Sequence, residues 1–213
     1  VYGTPAEEGG GGKVYLARGG YLNDVDAILN WHPWDQNASN SVSTLANTNG
    51  KFRFYGTPSH AAASPEKGRS ALDGVEAMNH MVNLMREHVS EKTRIHYVIT
   101  AGGDAPNVVP KFAEVYYYAR HPDPREVKKT WEWIEKAATG AALGTGTRVE
   151  WEILNAVYPV LPNDVMTRLV HRNLTRVGGV TYSDKETKFA RKLMESYKDG
   201  PVSLDRANVV QNM

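Results

Sequence analysis

The sequence predicts a ferredoxin-like α+β domain, built in the order β-α-β-β-α-β, inserted into an α/β domain of which the chain holds only parts. Two kinds of observation predict it. Four short runs alternate apolar and polar residues with a period of two, and two long runs between them repeat apolar residues every three or four positions. A polar stretch rich in Asn and Ser, residues 35–50, precedes the first alternating run and marks a crossing between domains. These signals place the insert at residues 44–158, with residues 1–43 and 159–213 belonging to the interrupted domain.

The elements follow in order. Val14, Leu16 and Ala17 predict a short helix after a glycine run, and NDVDAILNWHP (residues 23–33) reads as a turn leading into a buried strand that ends near Trp31 and His32, where Pro33 stops it. Phe52 and Phe54 alternate with Lys51, Arg53 and Tyr55, which predicts the first strand of the insert from Lys51. From Ser64 and Pro65, the residues Leu72, Val75, Met78, Val82, Met85 and Val89 form the stripe of a long amphipathic helix. Met78, Met81 and Met85 fit its core rather than a cofactor site.

Ile95, Tyr97 and Ile99 alternate in a second strand, and AEVYYYAR (residues 113–120) forms a third that pairs with it. Asp123, Pro124, Arg125 and Glu126 read as a capping box, with Val127, Trp131, Ile134 and Ala138 as the stripe of the helix behind it. Val149, Trp151 and Ile153 mark the fourth strand. Residues 162–178 and 184–198 read as helices outside the insert.

Composition narrows the function. Twenty-five Lys and Arg against 24 Asp and Glu leave a net charge of +1, so no field points to nucleic acid or to a membrane surface. No apolar run is long enough to span a bilayer. Without cysteine, metal ligands would be carboxylates and imidazoles. Val1 is not an initiator Met, and the first residues read as a strand entered midway, so the sequence is expected to be a piece of a longer protein. A cytoplasmic location is expected, with export left open.

TPAEEGGGGK (residues 4–13) is the stretch with the most chemistry. It fails the G-x-x-x-x-G-K-[ST] phosphate loop: Glu7 stands six before Lys13, Val14 follows it, and two carboxylates would repel phosphate. Two readings remain. One is a flexible glycine linker; the other is a metal-dependent site in which one carboxylate binds a divalent cation and its neighbour takes a proton from a water on that cation. His32 is a candidate second ligand, with a satisfied buried histidine as its plain alternative. His80, His88 and His96 lack carboxylate neighbours at ligand spacing, and Asp24 and Asp26 read as turn or strand-start residues.

GTPAEEGGGGK, DVDAILNWHP, SHAAASPEKGRSALDGVEAMN and APNVVP…YYYAR, in this order, resemble consecutive motifs of the metal-dependent aminoacylase and carboxypeptidase superfamily. The resemblance runs from residue 1 to about residue 162. It implies a catalytic domain holding two divalent metal ions, Zn or Mn, with a ferredoxin-like lid inserted. By resemblance Glu7 is the general base, while Glu8 and His32 are metal ligands. His60 is the lid histidine that reaches across a dimer to the scissile carbonyl, and Asn107 and Arg120 hold the substrate's carboxylate. Without the resemblance, His60 reads as a loop histidine, Asn107 as a turn residue and Arg120 as a strand-end charge. The superfamily's upstream ligand segment and downstream histidine have no counterpart in this sequence, and His171 has no family motif around it.

Two expectations follow. The full-length parent hydrolyses the amide bond of an acyl- or aroyl-amino acid or a dipeptide and forms a homodimer through the lid. Alternatively, the chain as it stands is a non-catalytic lid and dimerisation piece without a complete metal site.

Overall fold

Alternating residues become strands only where a neighbour supplies the ladder, and the four runs find one another here. The computed structural model describes residues 1–198 and 200–211. Strands β1 (Ala46–Tyr55), β2 (Arg94–Ala101), β3 (Phe112–His121) and β4 (Arg148–Val157) form one antiparallel sheet in the order β2-β3-β1-β4. Helix α1 (Gly12–Arg18) precedes them, α2 (Ala71–Met85) links β1 to β2, and α3 (Pro124–Thr145) links β3 to β4. The split β-α-β-β-α-β arrangement is therefore present, with β2 and β4 as its edges.

The core lies between the sheet and α2 with α3. Phe52, Phe54, Val115 and Tyr117 from the sheet meet Val75, Met78, Val82, Ile134 and Ala138 from the helices. Ser70 caps α2 by accepting the Asp73 N–H, and Asp123 caps α3 by accepting that of Arg125. Within the core, the Tyr117 hydroxyl donates to Asn79 Oδ1 at 2.5 Å. Met78 and Met85 are buried as their spacing predicts, whereas Met81 is exposed.

Some boundaries differ from the sequence reading. β1 starts at Ala46 rather than Lys51, because β3 and β4 flank the Asn47–Asn49 segment and satisfy its backbone despite its polar side chains. α2 starts after Ser70 rather than Ser64: Pro65–Lys67 is a single 3-10 turn that ends in extended backbone at Gly68. Residues 26–34 form no strand, and Trp31 is 81% exposed. A buried strand needs neighbours on both edges, and among the described residues none pairs with this segment.

Odd residues of β3 face the helices, so Glu114, Tyr116, Tyr118 and Arg120 share the open face. Glu114 gathers charge there: it receives Lys51 Nζ, Arg53 Nε and Thr100 Oγ1, each at 2.8 Å, and Arg53 also reaches Glu152. In β4, Asn49 pairs with Asn155 and Gly50 with Ile153, so Leu154 is an inserted bulge residue. The bulge shifts the alternation by one and turns Asn155 toward the open face.

The chain divides into two compact units, residues 1–25 with 44–160, and residues 26–43 with 161–213. The second unit holds α4 (Asp164–Val177), α5 (Asp184–Met194) and α6 (Asp205–Asn208). Within it, Ser39 Oγ donates to the Thr167 carbonyl and Arg206 pairs with Asp35. Among the described residues no helix is long and apolar enough to cross a membrane.

Candidate active site

The glycine run is a built turn seated on the open face of the sheet. The Ala6 carbonyl accepts the N–H groups of both Gly10 and Gly11 at 2.9 Å, closing a turn that carries Glu7 and Glu8 at its exposed tip. Ala6 itself has φ 58°, a left-handed conformation that a side chain disfavours by about 1–2 kcal/mol. Such conformations persist where the surroundings over-determine them. Here the surroundings include Gly12, where a Cβ would overlap the Pro5 carbonyl, so only glycine permits the chain to fold back this tightly.

The sheet holds the far side of the turn. The Tyr118 hydroxyl donates to the Glu8 carbonyl at 3.0 Å, and the Arg120 guanidinium lies 5.2 Å from the centre of the Tyr118 ring. Tyr118 therefore touches both the backbone of the carboxylate pair and the side chain of Arg120. Asn49, Tyr116 and Asn155 complete the surface beneath the turn.

His60 and Asn107 lie together elsewhere. Their loops pair through a bridge between His60 and Val108, with Ala61 N–H donating to the Asn107 carbonyl and Val109 N–H to that of Ser59, both at 3.0 Å. His60 Nδ1 accepts the N–H groups of Ala62 and Ala63, each at 3.2 Å. With Nδ1 engaged as an acceptor, the neutral ring carries its proton on Nε2, which is exposed as a donor. These loops follow β1 and precede β3, at the end of the sheet opposite Tyr118 and Arg120. The step from Phe112 to Tyr118 alone spans about 20 Å at about 3.4 Å per strand residue. One chain therefore cannot bring His60 to its own Glu7 turn while both keep these places on the sheet.

His32 belongs to the second unit. Its ring is exposed, with Nδ1 2.8 Å from the Pro33 carbonyl and an edge contact to Trp34. Among the described residues no group of three or more His, Asp or Glu side chains gathers as a metal site. Carboxylate and imidazole suit Zn or Mn by type, but Glu8 and His32 are too few to complete such a site. A cleft of about 490 Å³ opens between α3 and β4, lined by Trp131, Ile153 and Tyr158. It lies on the helix-covered side of the sheet, away from Glu7 and Arg120.

Tyr116, Tyr118 and Asn155 had no role in the sequence reading. For the two tyrosines a signal existed: in AEVYYYAR they stand two and four residues before Arg120 and so share its face. No such signal marked Asn155, because the bulge reverses its direction.

Residues 45–145 match the model of the peptidase dimerisation domain. The chain carries a peptidase dimerisation domain. Over its whole length it is 40% identical to a p-aminobenzoyl-glutamate hydrolase subunit of Escherichia coli (strain K12), of which it covers 44%. It is 34% identical to the Xaa-Arg dipeptidase of Mus musculus, over 84% of this chain and 41% of that protein. Among solved structures, an aminobenzoyl-glutamate utilization protein from Klebsiella pneumoniae superposes with a TM-score of 0.66 and 26% identity, over 83% of this chain and 46% of that one. The chain thus spans less than half the length of the relatives it matches. The matched residues cover β1, β2, β3 and the two helices, from the start of β1 to the end of α3, and stop just before β4.

Proposed function

We propose that the protein to which this chain belongs hydrolyses the amide bond of an acyl- or aroyl-amino acid or of a dipeptide, as a homodimer with divalent metal ions. The observation that carries the reading is the Tyr118 contact, which joins the Glu7–Glu8 turn to Arg120 on one face of the sheet. An exposed carboxylate pair beside a guanidinium matches what such a substrate needs, a base for the attacking water and a fork for its free carboxylate.

In this reading Glu7 takes the proton of the attacking water and delivers it to the leaving amine. Arg120 binds the substrate's carboxylate from the same chain. His60 donates from Nε2 to the oxygen on which negative charge develops, and Asn107 adds its side-chain amide. The separation between the two ends of the sheet supports their arrival from a second copy. Glu8 and His32 would each contribute a ligand to the metal ions, with further ligands from outside this chain; when bound, such an ion polarises the carbonyl and acidifies water. The relatives' names, a hydrolase of p-aminobenzoyl-glutamate and an Xaa-Arg dipeptidase, support this substrate class.

The test is amide hydrolysis by a protein of the relatives' full length with Zn or Mn supplied. Glu7→Gln is expected to reduce kcat by at least about a thousandfold, and a variant that stayed fully active would remove the proposed base. A second reading, in which the 213-residue chain alone is a lid and dimerisation piece, is favoured by the small ligand count among its described residues. It predicts a dimer at micromolar concentration that shows no stoichiometric zinc binding by calorimetry.

A further inference from the structure

The Glu7–Glu8 pair is pinned at both ends by backbone carbonyls. Before it, the Ala6 carbonyl holds Gly10 and Gly11; after it, the Glu8 carbonyl takes the proton of Tyr118. The Ala6 clamp is local, and a turn lifted off the sheet would open it more often. The Tyr118 bond spans 110 residues and ties the turn to β3.

Behind Tyr118 stands a second hydroxyl. Tyr116 Oη lies 3.1 Å from Tyr118 Oη and 3.0 Å from Oδ1 of the fully buried Asn49. A phenol has one proton to give and can accept others. Tyr118 spends its proton on Glu8, while the single proton of Tyr116 has two acceptors within reach, the Tyr118 oxygen and Asn49 Oδ1, and serves one of them at a time. The two rings lie 5.2 Å apart on the same face. Burial and the neighbouring Tyr118 push the Tyr116 phenol up from its ordinary value, so it remains a donor at any pH where the protein works. The turn lies against both hydroxyls at Gly9, where a Cβ would stand in ordinary contact, 3.5 Å from Tyr118 Oη and 3.7 Å from Tyr116 Oη.

We infer that Tyr118, backed by Tyr116 and Asn49, is a positioning residue for Glu7: its hydroxyl fixes the backbone of the carboxylate turn and so the direction in which Glu7 presents its carboxylate. The inference rests on the reading of Glu7 as the base. Tyr118 touches neither substrate nor reacting atoms in this role. Its removal therefore changes the chemical step and leaves substrate binding, which belongs to Arg120, in place. A displacement of the base by a fraction of an ångström costs rate, because proton transfer depends steeply on geometry.

The experiment compares Tyr118→Phe, Tyr116→Phe and Glu7→Gln in the full-length protein. Tyr118→Phe is expected to lower kcat about tenfold or more, with KM changed by less than about twofold. Tyr116→Phe keeps the bond to Glu8 and is expected to lower kcat by less. Hydrogen exchange supplies a readout that needs no activity: Tyr118→Phe should speed exchange at the Gly10 and Gly11 amides while β1 and β3 keep their protection. An unchanged kcat, unchanged exchange in the turn, or loosening of the strands together with the turn would each overturn the inference. Glu7→Gln separates the two claims. If it is fully active, the reading of the base fails whatever Tyr118 does; if it is inactive while Tyr118→Phe is unimpaired, the positioning role alone fails.

Discussion

Gly11 and Asn155 approach so closely that a methyl group on Gly11 would overlap the Asn155 side-chain amide, and Gly11 stands at φ +63°. The Glu7–Glu8 turn and the bulged strand β4 are thus shaped to each other, and a side chain at Gly11 meets a double penalty. Gly11→Ala costs about 1 kcal/mol for the left-handed backbone alone, with the overlap in addition. Faster amide exchange through residues 9–12 is the expected result. Gly9→Ala, whose Cβ finds only ordinary contacts, is expected to leave exchange unchanged. Equal behaviour of the two variants would mean that the turn is not seated on the sheet.

Glu114 predicts the acid behaviour of the sheet. Burial raises its pKa, but the hydrogen bonds from Lys51, Thr100 and Arg53 outweigh burial and hold it down to about 2. A carboxylate with a folded pKa below its unfolded value, about 4.3, contributes stability that is complete above the unfolded pKa and is lost as pH falls toward 2. Urea unfolding should therefore show a loss on the order of 2 kcal/mol between about pH 4.5 and pH 2, discounted because Lys51 and Arg53 are partly exposed. Glu114→Gln should flatten that slope. A variant with the slope of the unaltered protein would assign the acid sensitivity to other carboxylates.

In the core, Tyr117→Phe removes the proton that satisfies Asn79 Oδ1 while leaving the ring packed against Phe52 and Tyr97. The buried amide oxygen then lacks its partner, at a cost of about 1–3 kcal/mol. The denaturation midpoint should fall with an unchanged slope. Activity in the full-length protein should persist, since Tyr117 faces the helices rather than the open face.

Mixing chains tests the division of the site between two copies. Glu7→Gln and His60→Ala are each expected to be nearly inactive in the full-length protein. Re-associated from a mixture of the two, half of the dimers would be mixed, and one site in each would pair an intact Glu7 with an intact His60, restoring about a quarter of the activity. Activity that stays at the level of the parent variants would place both residues in one site of one chain and contradict the separation along β3.

Much of this molecule is legible residue by residue. The alternation of Phe52 and Phe54, the stripe from Val75 to Met85 and the cap at Asp123 each encode their element locally, because the side-chain period decides which face can be buried. The insert and the four motifs of the family could be read without coordinates. Where reading failed, the missing information was non-local: Ala46 to Gly50 look like a loop until β3 and β4 flank them, and Ile28 with Leu29 look like a buried strand although no described strand pairs with them.

The sequence by itself determined the residues on which the proposed chemistry rests, an adjacent carboxylate pair with a loop histidine, an asparagine and an arginine, together with the sheet and helices of the dimerisation domain. The tertiary structure decided how those residues are grouped. Glu7 and Glu8 share a face with Arg120 through Tyr118, while His60 and Asn107 sit about 20 Å or more away at the opposite end of the sheet. Local periodicity gives the face of a residue, but distance along a strand and a bulge opposite Asn49 determine which residues can meet, and both depend on pairing between segments far apart in the chain.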